Sequence, residues 1–502
     1  MHRKILRAAA VLAGLTMMAA DATAAPAAFD RRAWLDDYAA LKQGLQQSYA
    51  NLAWFASPQG GRDLPRLDRR TRRLLLSAGD DEEAAAAILA FVASFHDGHL
   101  EALPGFEAGA PGVIVAPPRP EWDQIGAADG CAALGYAPVR PVAYSVPFDA
   151  LAGSAQESDG LSRVFRAGTV GLPSGGRLGI VRIPRFRPQD APPAGCIGEW
   201  EAWRASGKPL DTDALRDRIQ DAWLQTLAAQ LKRFQAEGVK AVLVDVGGNS
   251  GGNDSGDWSA RLFTPREVHA PRMLLSADPS ALPYFKEELD GLHQALRDHP
   301  QLGPGARQIL ERAAADFERR KAGLPARHCD LSWVWRERRP WNPQGCSRLI
   351  DGGHASGALD YLAPGAVDDA AAAASAFWGA RVDALRGAWS GPVYVFVDGK
   401  TASSAELFSA ELRDNGVARI VGTRSEGDGC GFIDSDAVVQ LPHSGLRFHV
   451  PNCVRLRADG SDEVAGIAPD LPVLPLPGED PRSRAARVLG AIDADLGRGA
   501  AP

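Results

Sequence analysis

The stretch Pro392 to Gly422, PVYVFVDGKTASSAELFSAELRDNGVARIVG, decides how the chain is read. Pro392 to Val397 is a run of β-branched and aromatic residues, the composition of a buried strand. Asp398-Gly399 signals a turn. Ser403-Ser404-Ala405-Glu406 then opens a helical pattern with Leu407, Phe408 and Leu412 on one side. Ile420 and Val421 start a further strand that Gly422 stops. A serine at such a strand–turn–helix junction sits where free backbone N–H groups and the positive end of the helix dipole converge. The same donors can hold an oxyanion, which suits a nucleophile. The motif also reads another way, because Ser403-x-x-Glu406 is a capping box whose serine need only cap the helix.

A second stretch weighs between these readings. Ala241 to Asn253, AVLVDVGGNSGGN, is a strand followed by a glycine-rich loop. It lacks the Lys-Ser/Thr of a nucleotide P-loop and the GxGxxG spacing of a dinucleotide site. Together the two stretches resemble the tail-specific, or C-terminal-processing, serine peptidase family. Asp245, Gly248, Asn249, Gly251 and Gly252 match that family's D-L-R-G-N-x-G-G pattern, with Gly247 where arginine is common. Thr401, Ala402, Ser403 and Glu406 match its T-A-S-A-x-E nucleophile turn, and Asp414-Asn415-Gly416 with Gly422 match the step that follows. The resemblance spans roughly residues 177 to 475 with an insert, and implies Ser403 as nucleophile.

The chain departs from the family at one point. Many members carry a lysine base about six residues past Gly422, where this chain has Asp428. Lys400 is near in sequence, on a turn expected to point it away. The tricorn-core-like branch uses a histidine from a D-x-H motif and a late glutamate instead. Both are present here, as Asp97-Gly98-His99 and as Glu463 in EVAGIAPD. The resemblance therefore implies Ser403 as nucleophile, His99 as base and Glu463 as the carboxylate that orients His99. Asp462 is an alternative third member. Imidazole titrates near 6.5 and can take the serine proton at neutral pH. A carboxylate on its other nitrogen would fix the tautomer. Backbone N–H groups of Gly251, Gly252 and Ser404 are the expected oxyanion hole.

The 502 residues exceed what one core usually serves, so two or three domains are expected. A hydrophobic fraction of 45%, a charged fraction of 23% and a net charge of -7 suit an ordinary globular chain and speak against general nucleic-acid binding. Residues 1–24 read as a secretory signal peptide: basic at His2-Arg3-Lys4 and Arg7, apolar through Ala8 to Ala20, and closed by Ala22-Thr23-Ala24. No later run reaches the ~18 apolar residues of a membrane span, so no membrane anchor is expected. A periplasmic or secreted location follows. Six cysteines in an exported chain favour disulfides, and none is spaced C-x-x-C as a zinc site would be. Fifteen pairings are open; proximity in sequence suggests Cys131–Cys196, Cys329–Cys346 and Cys430–Cys453.

In chain order, residues 25–95 read as a helical domain whose basic run Arg66 to Arg73 is a solvated helix face. Residues 96–176 form an irregular β-rich segment without the pattern of a peptide-binding PDZ domain. The peptidase core comprises 177–267 and 376–480. Residues 268–375 are a helical insert, or cap, whose tryptophans Trp333, Trp335 and Trp341 either pack on their own core or form a specificity surface over the cleft. Residues 430–470 alternate as hairpins, and 481–502 are a C-terminal helix and tail. The expected fold is α/β, a crotonase-like (ClpP-like) ββα core with an N-terminal helical domain and a helical insert. The expected function is an exported serine endopeptidase acting on polypeptides, with no cofactor and no metal. The competing function is a catalytically inactive binding protein for peptides or apolar ligands on the same fold.

Overall fold

The computed structural model describes residues 29–104, 122, 124–136, 141–161, 163–324, 329–343, 345, 348–433 and 438–499. The expected leader, 1–24, lies outside them, as does Cys346. The architecture is mixed α/β around a seven-stranded sheet. Its strands are β1 (Ala155–Asp159), β2 (Arg166–Gly171), β3 (Arg177–Arg182), β4 (Ala241–Asp245), β5 (Val393–Val397), β6 (Ala418–Gly422) and β7 (Leu471–Pro472). They lie side by side in chain order. The pairs β1–β2 and β2–β3 are antiparallel, and every pair from β3 to β7 is parallel.

Both faces of this sheet are covered, so its central strands read as continuous apolar runs rather than alternating ones. All five residues of β4 and all five of β5 are buried. Val242, Val244, Val393 and Val395 pack with Trp223, Leu227 and Phe234 of the helix Thr212–Ala236 and with Phe408 and Leu412 of the helix Ser404–Asp414. Leu243, Tyr394 and Phe396 point the other way, onto Val488, Leu489 and Ile492 of the C-terminal helix Pro481–Gly497. Side chains alternate across a strand, so one run serves two cores.

The pieces outside the sheet are more interwoven than their sequence suggests. The N-terminal helices Arg31–Ser48, Leu64–Ser77 and Asp81–Ala93 share one core with Leu331, Val334 and Trp335 from the insert and with Leu441, Phe448 and Val450. Trp335 is thus buried against the N-terminal helices, and Trp333 packs on the same cluster beneath the Arg339 guanidinium. The arginines of the Arg66–Arg73 run are exposed, as a solvated helix face requires. In the insert, Pro300 and Pro304 separate two helices, Leu282–Asp298 and Pro304–Ala322. The strand Cys453–Leu456 does not close a local hairpin. It pairs with Arg272–Ser276 of the insert, which pairs in turn with Leu349–His354. Residues 155–171, within the irregular segment, supply β1 and β2 to the main sheet.

Candidate active site

The ends of β4 and β5 lie side by side, and both motifs leave the sheet there, at the carboxyl edge where ligands bind in open parallel sheets. One buried asparagine ties them together. Asn249 Nδ2 donates to the Ile183 carbonyl at 2.9 Å, its Oδ1 accepts the Gly251 N–H at 2.8 Å, and its own carbonyl accepts the Ala402 N–H at 2.9 Å. Thr401 Oγ1 donates to the Val246 carbonyl at 3.0 Å, and Gly248 N–H donates to Asp398 at 2.9 Å. The glycine loop and the nucleophile turn are therefore one hydrogen-bonded unit. Asp245 is structural: its buried carboxylate accepts from Ser145, Arg182 and the Gly247 N–H.

Ser403 sits at the N-cap of the helix Ser404–Asp414 with φ 53° and ψ -121°. A non-glycine residue in that region is strained, and such strain collects at functional turns. Gly251 passes close enough that a Cβ there would lie 2.6 Å from Ser403 Cβ, so only glycine fits. His99 arrives from a distant part of the chain, after the helix Asp81–Ala93 ends. Its Nε2 lies 3.2 Å from Ser403 Oγ. The capping reading of Ser403 is met, since Glu406 Oε2 accepts the Ser403 N–H at 3.1 Å, and the contact leaves Ser403 Oγ facing His99.

The sequence pattern of Peptidase family S41 matches residues 177–473, more than half of the chain. The chain belongs to peptidase family S41. Among solved structures, mature CPAF matches at 15% identity over 94% of this chain and 98% of that one, with a TM-score of 0.54. The photosystem II D1 C-terminal processing protease matches at 14% identity over 91% and 97%, with a TM-score of 0.31. The tricorn protease matches at 11% over 92% of this chain and 37% of its own, with a TM-score of 0.33. At these identities the likeness is one of fold, and the CPAF match carries it. No curated protein matches in sequence.

The remaining expected residues of this S41 chain are distributed as follows. Glu463 is buried, but its carboxylate is engaged by Arg455, at 3.2 and 3.0 Å from Nε and 2.6 Å from Nη2. Arg455 Nη2 also donates to the Ser403 carbonyl at 3.3 Å and the Gly429 carbonyl at 2.8 Å. Glu463 thus braces the nucleophile turn through an arginine instead of meeting the imidazole. Asp462 accepts the Val464 N–H, and burial pushes its pKa up to about 8. The groups facing His99 Nδ1 are the backbone carbonyl of Asp428 at 3.2 Å and, farther off, Asp97 Oδ1 at 3.9 Å. Asp97 accepts the His99 N–H at 2.9 Å and the Tyr49 hydroxyl at 2.6 Å, so it pins the backbone of the D-x-H turn. Burial raises its pKa. Asp428 thus meets the D-x-H turn twice: its carboxylate accepts the Gly98 N–H at 2.9 Å, and its backbone oxygen faces His99 Nδ1, the second being a contact that side-chain chemistry has no means of finding.

Of the three expected oxyanion donors, Gly251 differs. Its N–H is spent on Asn249, as the loop's own geometry demands. The Gly252 and Ser404 N–H groups have no protein acceptor among the described residues. Lys400 is exposed, its N–H on Asp398, consistent with a turn that carries it away.

A cavity of about 610 Å³ opens beside Ser403 and His99. The insert walls it with Tyr284, Glu287 and Glu288, the core with Trp258 and Leu407, and Trp378 and Phe432 complete it. Burial first, and the neighbouring Glu287 charge second, push Glu288 up to about 8. The insert therefore does face the cleft, through its first helix and through Met273 and Ala355, and not through Trp333 or Trp335. Cys430 also lines the cavity and is bridged to Cys453, with 5.6 Å between the Cα atoms. Cys131–Cys196 is the second bridge; the suggested partner of Cys329, Cys346, lies outside the described residues. Reduction is expected to cost about 2–5 kcal/mol per bridge. A denaturant midpoint unchanged by reductant would contradict this.

Proposed function

We propose that this S41 chain is an exported serine endopeptidase on a crotonase-like core, with a histidine base as in the tricorn-core-like branch but without that branch's glutamate on the imidazole, and not an inactive binding protein. Ser403 Oγ attacks the peptide carbonyl as His99 Nε2 takes its proton, and His99 then returns that proton to the leaving amine. The Gly252 and Ser404 N–H groups receive the oxyanion, aided by the positive end of the helix that Ser403 caps. The observation that carries the reading is the 3.2 Å approach of His99 Nε2 to Ser403 Oγ, made across more than three hundred residues of sequence. A family fold without catalysis has no need of it. The cavity of about 610 Å³ at the nucleophile suits a polypeptide side chain. The disulfides Cys131–Cys196 and Cys430–Cys453 fit an oxidising compartment.

The test is labelling with a fluorophosphonate followed by peptide mapping. Label on Ser403 establishes the nucleophile; a folded, unlabelled protein that still binds peptides would establish the binding function in its place. Catalysis needs the neutral imidazole, so kcat/KM is expected to rise with pH to a plateau as the base loses its proton. The same rise persisting at full height in His99→Ala would assign the base to another group.

A further inference from the structure

The loop that presents Asp428 to His99 is folded around a single buried carboxylate. Glu406 is 0% exposed. Its Oε2 accepts the N–H groups of Ser403 at 3.1 Å, Asp428 at 2.9 Å and Gly429 at 3.4 Å. Its Oε1 accepts the Ser425 hydroxyl at 2.5 Å and the Gly427 N–H at 2.8 Å. Capping the helix needs only the first of these five bonds. The other four reach a loop 19 to 23 residues farther along the chain.

We propose that Glu406 is a positioning residue for the general base: it gathers the loop 425–429 against the nucleophile turn, so that the Asp428 carbonyl, in place of a third carboxylate, accepts the His99 Nδ1 proton. The inference rests on the Ser403–His99 reading above.

Three observations support it. First, the position is open to no nearer group: Glu463 is committed to Arg455, and Asp97 stands 3.9 Å from Nδ1. Second, the loop has the shape such a task requires. Gly427 at φ 92° and Gly429 at φ 63° flank Asp428, and this conformation turns successive N–H groups inward on an anion, leaving the intervening carbonyl to point outward. Third, one carboxylate touches both reacting partners' supports, the Ser403 N–H directly and the His99 acceptor one peptide away. Burial first, and the Glu463 charge second, push Glu406 up to about 8, while the donors around it favour the charged form. An ionised carboxylate offers about four acceptor sites and no proton, which matches surroundings made only of donors. A neutral amide cannot, since its NH2 group would face N–H groups. Fixing one tautomer of the base is the service a triad carboxylate performs, and its amide replacement lowers kcat by ~10⁴-fold in a Ser-His-Asp enzyme. A peptide carbonyl is a weaker acceptor than a carboxylate, so the dependence here is smaller.

The experiment compares Glu406→Gln and Glu406→Asp with wild type in steady-state kinetics on one peptide. It also compares the Nδ1 proton resonance of His99 in protein labelled with ¹⁵N-histidine. Glu406→Gln is expected to lower kcat by about 10²-fold with KM within about threefold, and to shift or lose the resonance. Glu406→Asp keeps the charge but is one methylene too short to span both turns, and is expected to fall between the two. A folded Glu406→Gln protein with wild-type kcat, or with the resonance unmoved, overturns the proposal. If Glu406→Gln does not fold, Glu406→Asp decides on the same two readouts. The resonance needs no turnover, so a protein that hydrolyses nothing still reports on Glu406.

Discussion

Ser403→Ala is expected to lower kcat for peptide hydrolysis by about 10⁴-fold or more while leaving the fold intact. The size follows from the unit to which the hydroxyl belongs. Its Oγ is the atom that His99 Nε2 reaches at 3.2 Å, and no other hydroxyl can take its place without moving the turn. The neighbouring Ser404 Oγ donates to the Asn253 carbonyl at 2.5 Å and is already engaged. Folding should survive because the capping contact uses the backbone N–H of residue 403, which alanine keeps. Removing an oxygen from a residue held at φ 53° relieves no backbone strain either, since alanine carries the same Cβ. Single-turnover and steady-state rates on one peptide, with the denaturant midpoint as control, check the prediction. Turnover near wild type would remove Ser403 from the mechanism and with it the reading of the whole site.

The second large effect concerns Glu463, and it is expected to appear in stability as well as in rate. A carboxylate that oriented His99 would, when made an amide, cripple turnover and leave folding alone. Here Glu463 neutralises Arg455 in a site where both side chains are buried. Breaking one partner of such a pair leaves an unpaired charge and costs about 3–5 kcal/mol, whereas replacing both by apolar residues of similar volume is often neutral. Arg455→Met and Glu463→Gln are therefore each expected to destabilise by about 3 kcal/mol, with the double variant Arg455→Met/Glu463→Leu recovering most of it. Each single variant should also slow catalysis, because Arg455 holds the carbonyls of Ser403 and Gly429. Glu463→Gln with undiminished stability and a loss confined to kcat would restore it as the orienting carboxylate. Denaturant titration of the four proteins decides between the two.

Several features were legible in the residues themselves. The apolar runs at 241–244 and 392–397 had to be buried strands, because nothing polar interrupts them and each leads into a turn signal. Ser403 was legible because strand, turn and helix start follow one another within a dozen residues, and that local order sets its backbone. His99 was legible only through the family pattern, since a lone histidine after a helix has no local signature of its own. The pairings Cys131–Cys196 and Cys430–Cys453 were suggested by proximity along the chain, which is where loop closure costs least.

Tertiary structure decided what depends on the backbone and on competition between partners. Glu463 could be read as the partner of a histidine until Arg455, eight residues earlier, was seen to occupy it, and a charge pair outbids a neutral imidazole for a buried carboxylate. The Gly251 N–H is diverted by Asn249, two residues away, although both belong to the same motif. The acceptor for His99 is a peptide oxygen, identical in every residue type, so no side-chain pattern could mark Asp428 for that part. Nor could the pattern show that the strand Cys453–Leu456 pairs with Arg272–Ser276 of the insert, or that Trp335 is buried against the N-terminal helices. Sequence patterning specifies which faces must be covered, and only the folded chain specifies by what.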